Sequence, residues 1–237
     1  LAGGSASSNT DGSITSTVSA NTTSGFSIVS YTGNGTGGAT VGHGIDTPKM
    51  MIIKNRDNTT GWGVYHADLG NTKYLQLNDT AAEGTTSTFW NNTTPTNQVF
   101  SIGTSGWMNN SGEDYIGYCF AEKQGYSKFG SYTGNGNADG TFVYTGFKPA
   151  FLIIKKTNAT KNWFLHDDKR LGYNPSNSYV NPNLSSAEYA GTDLDIVSNG
   201  FKMRSTGGGH NESGHTYIYM AIGQSLVGSN NVPCTAR

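Results

Sequence analysis

The chain repeats itself, and this constrains its fold more than any other feature. The string SYTGNG occurs at residues 30–35 and again at 131–136, an offset of 101. At that offset Pro48 meets Pro149, Ile52-Ile53-Lys54 meets Ile153-Ile154-Lys155, and Trp62 meets Trp163. Thirteen of the 37 positions from 26 to 62 are identical, where composition alone would give about 4. Further on, Phe100 meets Phe201 at offset 101, while Ser111-Gly112 and Tyr115-Ile116 meet Ser213-Gly214 and Tyr217-Ile218 at offset 102, so one net insertion separates the blocks. Residues 63–98 and 164–199 have diverged almost completely. Two units of about 100 residues are expected, each building the same scaffold.

The residues of each unit alternate and turn as short strands do. In the first, strands are expected at 26–33, 49–55, 62–67, 73–77, 99–103 and 114–121. In the second they are expected at 128–134, 141–146, 150–156, 163–167, 194–197, 200–204 and 216–222. Within DYIGYCFA, Ile116, Tyr118 and Phe120 face one way and Tyr115, Gly117 and Cys119 the other. Asn34-Gly35, Asn135-Gly136 and Asn199-Gly200 supply positive φ for tight turns. Pro48 and Pro149 stand before apolar strands, where a missing N–H is tolerated. Helical periodicity is absent over any 11-residue window, and Ala81-Ala82-Glu83 amounts to one short turn at most. The fold class expected is all-β: two tandem antiparallel β-sandwich units, lectin-like or jelly-roll-like, at 26–125 and 126–226. Residues 1–25 read as a linker and the end of an upstream unit, and 227–237 as a C-terminal tail ending the protein.

Gly, Ser, Thr and Asn make up 110 of the 237 residues, and only 13% are charged, with a net charge of −1. That charge argues against an electrostatic nucleic-acid binder, which needs clustered Lys and Arg. No apolar run is long enough to suggest membrane insertion by a helix. An aromatic content of 11% argues against disorder. Cys119 sits in an apolar run and reads as a buried small hydrophobe; a bond to Cys234 stays open. No cysteine–histidine spacing suggests zinc, and no cofactor is expected.

The repeated SYTGNG, with ATVGHG at 39–44, PKMMIIKNRD at 48–57 and FAEKQGYSKFGSYTGNG at 120–136, resembles a domain of tail-fibre and related virion proteins of marine tailed phages, including cyanophages and pelagiphages. SNTDGSITSTVSAN at 8–21 and the Pro-x-Thr-Ala-Arg ending at 233–237 match that pattern too. The resemblance implies a virion structural or adhesion role at the distal end of an appendage, outside the cell, with a host cell-surface glycan or protein and other virion proteins as partners. A homotrimer is likewise implied by the likeness to fibres. The resemblance brings no catalytic residue set, and a non-enzymatic protein is expected. A purely structural decoration or shaft protein is the alternative, and a glycan depolymerase a weaker one.

Candidate contact residues follow from local context. Trp62 and Trp163, being repeated, are expected to fill the core. Trp90 and Trp107 lack counterparts in the second unit and stand in polar stretches, so they, with Asn91 and Asn109 of the same stretches, are the candidates for contacting a sugar. His210, Glu212 and His215 in GGGHNESGH are the candidate metal ligands. His43 in GHG, aligned with Tyr144, reads as a turn or strand position. His66 and His166 lie near Asp68, Asp167 and Asp168 without metal-ligand spacing and read as solvated surface pairs. Glu83 and Glu188 stand in corresponding diverged stretches, TAAE and SSAE, where a hydrolase could draw one carboxylate from each unit, although a repeated Ala-Glu reads more simply as a shared turn.

Overall fold

Strands form where β-branched and aromatic residues alternate, and their termini fall at Gly, Pro and Asn. In the computed structural model, which describes residues 4–170, 174 and 178–224, the chain divides into one unit of residues 1–79 and 83–122 and another of residues 80–82 and 123–237. Each is all-β, with antiparallel sheets, and strands dominate the secondary structure.

The first unit is built from β1 (Ser7–Asn9), β2 (Ser16–Asn21), β3 (Phe26–Thr32), β4 (Ala39–Gly42), β5 (Pro48–Asn55), β6 (Trp62–His66), β7 (Lys73–Gln76), β8 (Gly84–Thr85), β9 (Val99–Ile102) and β10 (Asp114–Ala121). Its large sheet runs β1-β2-β3-β10-β5-β6-β7-β8, and β4 pairs with β9 in a second, small sheet. The second unit contains β11 (Ser127–Thr133), β12 (Phe142–Tyr144), β13 (Pro149–Lys156), β14 (Trp163–Asp167), β15 (Leu194–Val197), β16 (Gly200–Met203) and β17 (Thr216–Gly223). Its sheets run β11-β17-β13-β14 and β12-β16-β15. The shared scaffold is thus β3-β10-β5-β6, repeated as β11-β17-β13-β14, with β4-β9 repeated as β12-β16.

Of the linker expected at 1–25, the described residues 4–25 behave differently. β1 and β2 extend the large sheet of the first unit, β2 pairing with β3 through Thr17–Asn21. Ile14 makes a parallel bridge to Val41, and its N–H donates to the Thr40 carbonyl at 3.0 Å. The composition suggested a flexible tether, but Ile14 and Val18 are buried side chains at 8% and 5% exposure, which supply the apolar burial a linker lacks. Ala81-Ala82-Glu83 forms no helical turn; the single turn of helix, α1, lies at Ser87–Trp90, capped by the Thr86 hydroxyl. The tail at 227–237, Cys234 included, lies outside the described residues.

The repeated Tyr-Thr-Gly-Asn-Gly string has one structural explanation in both units. Tyr31 lies opposite Tyr115 and stacks on it with ring centroids 5.2 Å apart; Tyr132 lies opposite Tyr217 at 5.0 Å. Buried, the Tyr31 hydroxyl donates to the Met108 carbonyl at 2.9 Å and the Tyr132 hydroxyl to the His210 carbonyl at 2.8 Å. Burial pushes both phenols well above their ordinary pKa, so they remain donors. The first glycine of the string is required by crowding: a Cβ on Gly33 or Gly134 would lie 2.3 Å from the carbonyl oxygen of Asn110 or Glu212. The second, Gly35 or Gly136, has φ of 72° or 65°. Gly200 is different. It opens β16 without positive φ, and its constraint is again closeness, a Cβ there lying 2.0 Å from the Val143 carbonyl oxygen.

Strand pairing also revises one alignment. Val41 faces Phe100 as Val143 faces Phe201, and the positive-φ Gly44 corresponds to Gly146. Between 39 and 44 the offset is therefore 102, and His43 corresponds to Thr145, not Tyr144. A slip of one residue moves a strand's side chains to the opposite face, and here it decides which residues of β12 face outward.

Candidate functional site

The sugar-stacking candidates belong to the interior. Trp90 is 1% exposed, its indole N–H donating to the Lys73 carbonyl at 3.0 Å and its ring edge-on to Tyr65. Trp107 is half-buried against Phe89, their centroids 5.5 Å apart. Of the four, only Asn91 is exposed; it caps α1 with φ of 49°. Asn109 is fully buried. Its side-chain oxygen accepts from the Asn34 N–H at 2.9 Å, and its amide donates to the carbonyls of Thr36 and Gly103 at 2.8 and 2.9 Å. It has a counterpart in the second unit. Asn211 accepts from the Asn135 N–H at 3.0 Å and donates to the carbonyls of Asn137 and Ser205 at 2.8 and 3.0 Å. Both asparagines clamp the loop that follows SYTGNG, so a residue read as ligand-contacting is part of the shared scaffold.

His210, Glu212 and His215 do not converge. His210 points into the core at 2% exposure, whereas His215 Nδ1 meets Asn158 Oδ1 at 2.9 Å. Glu212 pairs with Lys156 and stands 3.7 Å from His215 Nε2. Among the described residues, no group of three or more His, Cys, Asp or Glu side chains is arranged to hold a metal ion. Glu83 pairs with Lys73 in the first unit and Glu188 with Arg170 in the second. Of the repeated tryptophans, Trp163 is 1% exposed, while Trp62 is half-buried and stacks on Tyr118 at 6.4 Å. Cys119 is buried, and burial pushes its thiol up to about 12.

His66 and His166 are buried, not solvated. His166 Nε2 lies 2.9 Å from His210 Nε2. Phe164, Tyr179 and the two imidazoles form a cluster of four rings, with centroid separations from 4.2 to 5.7 Å. Asp193 faces the other side of His210, its Oδ1 3.8 Å from Nδ1. That carboxylate favours the proton on Nδ1 of His210, leaving Nε2 to accept from the Nε2–H of His166. Burial holds both imidazoles neutral: His210 falls to about 3 and His166 well below its usual value, each further lowered by a nearby positive charge or the partner ring.

The surface that stands out was absent from the sequence candidates. Among the described residues the exposed large apolar side chains, Phe142, Tyr144, Leu184 and Tyr189, all lie in the second unit. Phe142 and Tyr144 flank the buried Val143 on β12, an edge strand, so both face outward. Tyr144 is 64% and Phe142 47% exposed. Opposite Phe142 stands Lys202, paired with Asp139 at 2.5 Å, which holds that carboxyl below its usual range. Arg204 Nε meets Asp195 Oδ2 at 2.5 Å, with Arg204 also 3.9 Å from Asp139. Two rings therefore stand beside a chain of charged donors and acceptors of balanced sign.

The corresponding residues of the first unit, Thr40 and Gly42, are covered. The Ser13 N–H donates to Thr40 Oγ1 at 2.8 Å and the Ser16 hydroxyl to the Gly42 carbonyl at 2.9 Å. A Cβ on Gly42 would lie 1.7 Å from Asn9 Oδ1. Sequence carried a signal for the difference: TFVYTG is apolar on both faces, which a strand with one solvated face does not require.

The sequence profile of the family described as "Domain of unknown function (DUF7483)" matches residues 1–225. The chain belongs to that family. The match includes β1 and β2, so the leading segment is part of what this family shares. No curated protein and no solved structure matches the chain.

Proposed function

We propose that this protein is a non-enzymatic virion protein of a tailed phage, part of a tail fibre or similar appendage, that attaches to a glycan on the host surface through the outer face of β12. The resemblance of SYTGNG, PKMMIIKNRD and the flanking motifs to marine phage tail-fibre domains supports the setting: an extracellular, oligomeric appendage, a trimer by the same likeness, with other virion proteins as neighbours. One observation carries the attachment reading. At the positions where the first unit has Thr40 and Gly42 under a covering segment, the second exposes Phe142 and Tyr144.

Large exposed aromatics cost hydration and mark contact sites more often than they serve stability. Their faces suit the C–H faces of a pyranose, while Asp139, Lys202 and Arg204 offer acceptors and donors to its hydroxyls. The low net charge suits a neutral polar ligand better than electrostatic capture. Attachment needs no reacting group, and the two carboxylates a hydrolase could have used are each engaged with a cation.

The test is binding of the full chain to host-envelope polysaccharides on a glycan array, comparing it with Phe142→Ser/Tyr144→Ser. Binding that drops at least tenfold in the double variant supports the reading. Absence of binding to any host glycan, or binding unchanged by the substitutions, overturns it. Labelling of the protein at a capsid lattice position in intact particles would favour the purely structural role instead.

A further inference from the structure

The buried imidazole pair has a feature that packing does not require: two groups able to take up protons share one hydrogen bond beneath a segment laid along an edge strand. We infer that His166 and His210 form an acid-operated latch that holds residues 178–189 against β14 and releases them when the rings become charged.

The segment's attachments are local: the Asn183 side-chain oxygen accepts from the Trp163 N–H at 3.0 Å, its amide donates to Asn162 Oδ1 at 3.0 Å, and Glu188 pairs with Arg170. Val180 and Leu165 exchange backbone hydrogen bonds at 2.9 and 3.1 Å, and the Asn181 amide donates to the Trp163 carbonyl at 2.6 Å. Tyr179 lays its ring against His166, His210 and Phe164, and stacks on Tyr189 at 5.3 Å. Most of 182–190 is exposed, including Leu184 and Tyr189. Because β14 is an edge strand, this segment can leave without breaking the β11-β17-β13-β14 ladder.

Charge destroys the bond that the neutral pair makes. One neutral imidazole donates and the other accepts; two imidazoliums are both donors, facing each other at 2.9 Å as like charges. The other charged groups around the pair do not compensate. Asp193 and Asp167 favour the charged forms, but Arg170 and Lys161 oppose them, and Arg170 itself ties up Asp167 and Glu188. Glu188, in the same segment, pairs with Arg170. Between pH 7 and pH 5 the ordinary pKa of a released imidazole is crossed. In the first unit Tyr65 and Met108, both buried, stand where the second has His166 and His210.

Opening returns each ring to an ordinary pKa of about 6.5, so at pH 5 each released imidazole favours the open form about 30-fold. Hydrogen exchange of the full chain, corrected for the intrinsic pH dependence of exchange, reads this directly. From pH 7 to pH 5, protection of 178–189 should fall by at least 30-fold, while β3 and β10 keep theirs. His210→Gln, which retains a polar partner for His166 without titrating in this range, should lose at least a factor of 10 of that pH dependence. Equal protection of 178–189 at the two pH values, or the same pH dependence in His210→Gln, overturns the inference. Should that variant fail to fold, imidazole NMR titration of the wild type decides. Rings that stay neutral until the segment opens support the latch, and rings that titrate near 6.5 with the segment still protected refute it.

Discussion

The two units keep the same scaffold and differ in what lies on it. In both, a tyrosine pair stacks across the central strands, a buried asparagine clamps the loop after SYTGNG, and the same two glycines serve crowding and positive φ. In the first unit the chain's own leading segment covers Thr40 and Gly42; in the second the matching positions are exposed aromatics. The interior shows a compensating exchange. In the first unit Trp107 of the loop packs against Gly61, just before β6, and Met108 against Gly63 of β6, whereas in the second Phe164, at the position of Gly63, packs against Gly209, at the position of Trp107. A ring stands in the loop of one unit and on the strand of the other, the kind of exchange a close-packed core tolerates. The lesson is that duplication fixed the hydrogen-bonded turns and left volume, cover and charge free to vary.

The largest expected effect tests the shared part. Asn109→Ala and Asn211→Ala each leave buried N–H and C=O groups without partners, and each should cost about 3–5 kcal/mol by denaturant unfolding. Comparable losses from the two would support one clamp used twice; a loss confined to one site would break the equivalence. Next comes crowding against torsion. Gly33→Ala or Gly134→Ala, with a Cβ 2.3 Å from a carbonyl oxygen, should cost about 2–4 kcal/mol. Gly35→Ala, where only φ is at issue, should cost about 1–2 kcal/mol, and Gly136→Ala somewhat more, because its Cβ would also lie 2.9 Å from the Ser213 Cβ. Thermal denaturation of the four variants orders them.

Acid sharpens the contrast in the interior. His210 and His166 have lowered native pKa values, so the neutral forms are the ones the fold holds. Their contribution is fully present above about pH 6.5 and is lost as the pH falls toward the native value, about 3 for His210. The slope is about 1.4 kcal/mol per pH unit for each ring while unfolded and native states differ by a full proton. The first unit has His43, also lowered by burial and bonded to the Thr96 carbonyl at 3.2 Å, with Tyr65 and Met108 at the positions of His166 and His210. Hydrogen exchange as the pH is lowered should therefore show the second unit opening first. His210→Met, the residue the first unit uses, should narrow the gap.

The smallest effect on stability concerns the outer faces. Phe142→Ser with Tyr144→Ser should change stability by no more than about 0.5 kcal/mol each, because both residues are exposed, while abolishing the glycan contact proposed for β12. Gly42→Tyr gives the reverse contrast. It would drive a side chain into Asn9, which is held by Asp11 at 2.8 and 3.0 Å, and should lift the leading segment from the first unit, seen as faster exchange of β1.

Much of the scaffold was legible in the residues. Alternation placed the strands, and β10 faces the way DYIGYCFA suggested, with Tyr115, Gly117 and Cys119 inward. The candidate site was far less legible. Trp90 and Asn109 stood in polar strings, yet their burial depends on partners such as Lys73 and Thr36, which no local window contains. The repeat did hold a correct hint, since at offset 102 Asn109 meets Asn211 and Met108 meets His210, positions kept or substituted within the core.

The sequence by itself determined that this protein is a duplicated antiparallel β structure, because period-2 alternation and turn chemistry are local and were copied with the repeat. Only the tertiary structure decided which side chains the solvent meets. The leading segment's burial, the one-residue slip at 39–44 and the meeting of His166 with His210 all come from contacts between distant residues. They depend on how the sheets pack, and on which of two identical scaffolds has its edge covered.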